Sequence, residues 1–134
     1  MTTPEGFHSI TPYLTVKRAA SAISFYERAL DASERSRMTT PEGSIANAEI
    51  VIGDSAILIR DETLDVPGPD TLGNTSVMIH LYVDDVDMTS SRAVDAGMEV
   101  LLPVEDRFYG DRSGRFKDPY GHVWIISTRL EKPE

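Results

Sequence analysis

The sequence predicts an α+β fold made of two copies of a βαβββ unit. Three observations lead there. The order strand, helix, strand, strand, strand is read twice along the chain. Matching segments recur at a near-constant offset: Tyr13-Leu14-Thr15-Val16 lines up with His80-Leu81-Tyr82-Val83, 67 residues on, and Gly53-Asp54-Ser55-Ala56-Ile57 with Gly121-His122-Val123-Trp124-Ile125, 68 residues on. Between the copies lies an aperiodic stretch rich in proline and glycine. A repeat held through two whole segments is the signature of duplication.

The first strand is expected from His8 to Val16, where Ile10, Pro12, Leu14 and Val16 alternate with Thr11, Tyr13 and Thr15. A helix is expected from Ala19 to Leu30, because Ala19, Ala22, Ile23, Tyr26, Ala29 and Leu30 share one helical face. Strands near Glu34–Thr39, Ser44–Ile52 and Ser55–Asp61 follow, with turns at Pro41-Glu42-Gly43 and Gly53-Asp54. Thr63 to Asn74, holding Pro67, Gly68, Pro69 and Gly73, reads as a linker. The second unit begins with a strand over Ser76–Val83 and a helix over about Val86–Ala96. Asp84, Asp85 and Asp87 crowd the start of that helix, where caps and the helix dipole favour carboxylates, and Gly97 ends it. Strands near Glu99–Asp106, Gly110–Lys117 and His122–Thr128 complete it. One domain over residues 1–134 is therefore expected, with module one at about 7–62, the linker at about 63–74 and module two at about 75–130.

Composition narrows the function. A chain of 134 residues suits one domain and buries roughly two-thirds of its unfolded surface. With no cysteine there is no disulfide, thiolate metal site or cysteine nucleophile, and the composition is compatible with a reducing cytoplasm, the expected location. The segment Met1–Phe7 is polar and does not read as a signal peptide, and no apolar run is long enough to span a membrane. The net charge of −9 opposes binding to nucleic acid and weakly favours a neutral or cationic ligand. There is no phosphate loop, nucleophile elbow or dinucleotide fingerprint.

Each sheet is expected to have one apolar face under its helix and one mixed face. The mixed face is expected to gather Thr11, Tyr13, Thr15, Asn47, Glu49, Ile57, Ile59, Met78, His80, Tyr82, Ile125 and Ser127, a blend typical of small-molecule pockets. Trp124 is out of phase with Ile125 and reads as core, the alternative being a stacking platform.

The residues Pro12-Tyr13-Leu14-Thr15-Val16, Ala22-Ile23-Ser24-Phe25-Tyr26 and Asn47-Ala48-Glu49-Ile50 resemble the vicinal-oxygen-chelate superfamily of glyoxalases, bleomycin-resistance proteins and dioxygenases. So do His80-Leu81-Tyr82-Val83-Asp84-Asp85-Val86-Asp87, Ala93-Val94-Asp95-Ala96-Gly97 and Asp118-Pro119-Tyr120-Gly121-His122-Val123-Trp124. The run from Tyr109 to Trp124 looks closest to the PhnB-like branch. The resemblance implies curved mixed sheets around a cavity with helices outside, a homodimer, and in the enzymes a divalent metal on which neighbouring substrate oxygens chelate. Carried over by position, the metal ligands fall on Thr11, Ile57, Met78 and Ile125, none of which suits a divalent ion. The expectation is thus no metal and no cofactor.

Among the polar residues, His80 suits a ligand, a base or a hydrogen-bonding pocket wall, and Glu49 either a proton shuttle or an arginine-paired carboxylate. His8 reads as a surface histidine and His122 as a turn residue. Phe108 and Tyr109 are candidates for stacking. Asp111 and Arg112 read as a turn closed by an Asp–Arg pair, with Arg112 as the alternative contact to an anionic group. The expected function is metal-independent binding of a small aromatic or amphipathic molecule by Tyr13, Asn47, Ile57, Met78, His80, Tyr82, Phe108, Tyr109, Arg112 and Ile125. The alternatives are a lyase or isomerase acting on an oxygen-rich substrate, with His80 and Glu49 moving protons or holding a metal, and a structural module without a ligand.

Overall fold

The computed structural model describes residues 2–130. Module one comprises β1 (Tyr13–Val16), α1 (Ala19–Leu30), β2 (Ser33–Thr39), β3 (Ile45–Ile52) and β4 (Ser55–Asp61). A short helix, α2 (Pro69–Leu72), stands in the connection. Module two comprises β5 (Met78–Tyr82), α3 (Val86–Ala96), β6 (Glu99–Asp106), β7 (Asp111–Lys117) and β8 (Val123–Arg129). Each module is a four-stranded mixed sheet, ordered β1-β4-β3-β2 and β5-β8-β7-β6, and the sheets do not close into a barrel. In both, the first and last strands pair in parallel and the rest antiparallel. The α+β fold of two βαβββ modules is as the sequence predicts.

The duplication extends to the caps. The Ala19 amide at the start of α1 donates to Asp61 Oδ1 on β4, and the Val86 amide at the start of α3 donates to Thr128 Oγ1 on β8. Asp85 also caps α3, accepting from the Met88 amide. In this way the last strand of each module anchors its own helix, satisfying an amide that has no partner within the helix.

Two expectations need correction. The first strand is shorter than predicted: residues 8–12 lie outside the ladder and only the Pro12 carbonyl joins it, accepting from the Leu58 amide. A proline cannot donate to a ladder. The connection is also not plain linker. Proline at its first turn starts α2, and the Glu62 carboxylate accepts from the Gly68 amide and the Thr71 hydroxyl.

The helices cover one face of each sheet and meet one another. Seven residues of α1 are buried but only three of α3, because α1 also reaches across to module two. There Tyr26 stacks at a tilt on Trp124, ring centroids 5.5 Å apart, and Phe25 meets Tyr120 edge-on at 6.1 Å. Asp118, buried at the foot of this aromatic wall, accepts four hydrogen bonds. Oδ2 takes the Tyr26 hydroxyl at 2.5 Å and the Trp124 indole N–H at 2.9 Å. Oδ1 takes the amides of Tyr120 and His122. Trp124 is 1% exposed and is core, as its phase predicts. His122 is a turn residue whose ring also contacts the Thr15 carbonyl at 3.0 Å, tying the β7–β8 turn to β1.

Candidate functional site

Strand register decides which side chains share the open face. In module two Met78, His80 and Tyr82 lie opposite Val123, Ile125 and Ser127, and β7 continues the rows with Lys117, Arg115 and Ser113. In module one Tyr13 lies opposite Leu58, and Leu58 opposite Glu49; Ile57 pairs with Ile50 on the helix side and is 3% exposed. Ile57 therefore turns to the helix side and away from the open face, and Ile59, fully buried, goes with it.

The reason is a slip of one residue. The strands repeat at 67, as Leu58 and Ile125 do, whereas the turn glycines repeat at 68. Module one holds one more residue between turn and strand, and a single extra residue turns every later side chain to the other face. The metal-ligand position in module one is thus taken by Leu58, which is no better a donor than isoleucine. Met78 is half exposed on the open face, and Thr11 lies before β1. Among the described residues no three histidine or carboxylate side chains converge to hold a metal ion. The donor set does not fit the chelating metal that the resemblance implies.

What the open face of module two does hold is a polar–aromatic cluster. The His80 and Tyr82 rings stack, centroids 4.6 Å apart and planes inclined by 18°. His80 Nε2 lies 2.8 Å from Ser127 Oγ, and the Tyr82 hydroxyl donates to Asp111 Oδ2 at 2.7 Å. Arg129 donates to Asp111 Oδ1 at 3.0 Å, and Tyr109 Oη lies 3.2 Å from Ser113 Oγ. Asp111 and Ser127 are buried while Tyr82, Tyr109 and Met78 are about half exposed, so a rigid polar floor carries an accessible aromatic surface.

Charge at the floor is settled locally. Burial alone would raise the Asp111 pKa, but the hydrogen bonds from Tyr82 and Arg129 outweigh it and hold the carboxyl below its ordinary value. The hydrogen bond to Asp111 raises the Tyr82 pKa, so the phenol stays protonated and donating.

The cluster is not a nucleophilic triad. His80 Nε2 faces both Ser127, at 2.8 Å, and Asp111, at 4.0 Å, so the base and its orienting carboxylate share one nitrogen instead of opposite ones. Ser127 is also fully buried and out of reach of a substrate carbonyl.

Asp111 has no place in a reading from sequence alone, because Gly110-Asp111 reads as a turn. The available signal was the alternation Asp111, Ser113, Arg115, Lys117 against Gly114 and Phe116, which makes Asp111 the first residue of a strand. The Asp–Arg pair closing the hairpin exists, but it joins Asp106 to Arg112 at 3.0 Å. Arg112 also grips Asp87 on α3 at 3.0 Å, which raises its already high pKa. It therefore points to the helix side and is no pocket-rim contact for an anion. Phe108 is wholly exposed at the hairpin tip, edge-on to Tyr109 at 5.3 Å.

His80 and Glu49 are not brought together. Glu49 lies in the other sheet, 2.6 Å from Arg35, and no hydrogen bond or ion pair joins it to His80. Tyr13 and Asn47 are on the open face of module one. His8, expected at the surface, is exposed but also borders a cleft of about 140 Å³ between the modules, with Pro12, Ile57, His80 and Trp124 among its other walls.

Two four-stranded βαβββ sheets, each covered by a helix on one face and open on the other, define a paired-module protein. The chain belongs to the Glyoxalase/Bleomycin resistance protein/Dioxygenase superfamily, whose family model matches residues 6–126. An uncharacterized protein of Mycobacterium bovis is 40% identical over 129 residues, covering 92% of this chain and 85% of that one. Among solved structures, the fosfomycin resistance protein FosX of Listeria monocytogenes has a TM-score of 0.73 at 19% identity, covering 92% of this chain and 94% of its own. A PhnB protein of Bacillus cereus has a TM-score of 0.68 at 16% identity, covering 90% and 99%. At these identities both structures show a shared fold.

Proposed function

We propose that this protein binds a small, flat aromatic or amphipathic molecule without a metal, on the open face of module two. The observation that carries the reading is the stacked His80–Tyr82 pair, fixed from below by Ser127 and Asp111 and open from above. Such a surface offers an incoming ring stacking partners whose rotamers are already fixed, so little side-chain entropy is lost on binding. Met78 and Ile125 supply apolar area beside it, and Tyr109 with Phe108 forms a rim. Tyr13 and Asn47 would contact the ligand only from module one.

The enzyme reading, with His80 and Glu49 in proton transfer, is disfavoured because each has a separate partner in a separate sheet. The half-exposed aromatic residues and the free edges of β2 and β6 favour a homodimer, and the run from Tyr109 to Trp124 supports a PhnB-like lineage. We place the protein in the cytoplasm on its composition.

Calorimetric titration against a panel of polycyclic aromatic antibiotics tests the function. Saturable binding is expected, weakened by about tenfold or more in Tyr82→Ala, the loss of roughly 1.4 kcal/mol of ring contact. Absence of saturable binding across the panel would sink the reading. Elemental analysis of untagged protein should find well under one divalent metal per chain; one metal per chain, lost in His80→Ala, would restore the enzyme. Sedimentation should show a dimer at micromolar concentration.

A further inference from the structure

We propose a second binding site, on the open face of module one, for the cationic nitrogen of a small molecule such as an aryl guanidine. It is built from Asn47 and Glu49, with Phe7 as its roof, and it lies apart from the aromatic cluster of module two.

The first observation is an excess of acceptors. Asn47 Oδ1 is buried and lacks a hydrogen-bond donor, while Glu49 Oε2, also buried, has only an ion pair to Arg35. The two residues are separated by one position on β3 and so share a face. A buried acceptor without a donor is costly, and Asn47 stands on the same face as a carboxylate that a single ion pair holds.

The second observation is what stands beside them. Arg35 falls in a bulge of β2, between the paired residues Glu34 and Ser36. Bulges re-aim side chains, and this one brings Arg35 Nη2 to 2.6 Å from Glu49 Oε2, but off the axis of a hydrogen bond. The Phe7 ring also meets the guanidinium, with its centroid 5.9 Å from Cζ. Gly6, at φ +85°, permits the approach: a Cβ there would sit 2.9 Å from Arg35 Nη2. The chain's own guanidinium thus occupies a slot between an aromatic face and a carboxylate, the two partners by which proteins recognise cations.

The third observation is that Arg35 fills the slot poorly. Its side chain is 41% exposed on an edge strand, and it leaves Asn47 unsatisfied. With its cationic end partly in solvent, the pair is screened more than a fully buried one. A ligand cation with several N–H groups reaches both Glu49 and Asn47 once Arg35 swings out to solvent, and the chain's net charge of −9 favours its approach. Arg35 is therefore an internal stand-in for the ligand and a competitor with it.

The competition sets the sign of the test. Phenylguanidine is titrated into the full chain and followed by NMR, with neutral phenylurea as its isostere. Phenylguanidine is expected to shift the Asn47 side-chain amide and the Phe7 ring, and phenylurea to bind about tenfold more weakly or less. Arg35→Ala should tighten phenylguanidine binding roughly two- to fivefold by removing the competitor. Glu49→Gln should weaken it by about tenfold or more. Unchanged or weaker binding in Arg35→Ala, or equal binding of phenylurea, overturns the proposal. Should Glu49→Gln lose its dispersed amide spectrum, the sign of the Arg35→Ala effect decides alone. Shifts confined to His80 and Tyr82 would defeat this site and leave the aromatic face standing; shifts at Asn47 and Phe7 without them would do the reverse.

Discussion

Replacing Asp118 by alanine tests how the two modules are held together. The carboxylate is 2% exposed and accepts four hydrogen bonds, two from backbone amides of its own turn and two from the side chains of Tyr26 and Trp124. Removing it orphans the Tyr26 hydroxyl and the indole N–H inside an aromatic wall. At about 1–3 kcal/mol for each buried unsatisfied donor, the loss is about 2–6 kcal/mol, a large part of the 5–15 kcal/mol typical of a whole domain. Urea denaturation is the assay: the midpoint should fall with the slope unchanged, showing lost stability without a less compact native state. A double-mutant cycle of Asp118→Asn with Tyr26→Phe should give a coupling of at least about 0.5 kcal/mol, since the two side chains touch. A loss under about 1 kcal/mol for Asp118→Ala, or no coupling in the cycle, would refute the view that this carboxylate joins the modules.

Three further outcomes follow from the same wall and from the strand register. Trp124→Ala should lose about 3–5 kcal/mol in the same denaturation assay; a fully stable variant with impaired ligand binding would make Trp124 a ligand platform instead. Burial, and next the Asp118 carboxylate, raise the Tyr26 pKa well above the ordinary 10.0. Its contribution to stability is therefore complete below pH 10 and is lost as pH rises beyond that, by at most about 1.4 kcal/mol per pH unit, and Tyr26→Phe should flatten this alkaline limb of the stability profile. Ile57→Ala should cost about 2–4 kcal/mol by opening a cavity, whereas Ile125→Ala, on the open face, should cost about half that or less; equal losses would contradict the register.

Much of this protein is legible in its sequence. Alternation at period two and recurrence at helical spacing mark which elements form, because those periods are what put apolar side chains on one side of a strand or helix. The duplication shows in the offset of 67, and Trp124 reads as core from its phase against Ile125. That Ile125 and either Ile57 or Leu58 supply no metal donor is equally plain, since an aliphatic side chain cannot ligate wherever it points.

Contact and facing between distant residues come from how the chain packs, across separations that local pattern does not encode. Ile57 and Leu58 exchange roles because one extra residue after Gly53 reverses the facing of the strand; the offsets of 67 and 68 hold the extra residue, but only the strand pairing shows where the facing turns over. Arg112 is drawn to Asp87 and away from the open face, and Asp111 is claimed by Tyr82 and Arg129, because the sheet and the helix packed on it bring together residues 18 to 29 positions apart. Tyr26 meets Asp118 across 92 residues only because α1 packs on the second module. Local pattern is set by neighbours in the chain; which charge finds which partner is set by how sheets and helices pack, and the site depends on the second.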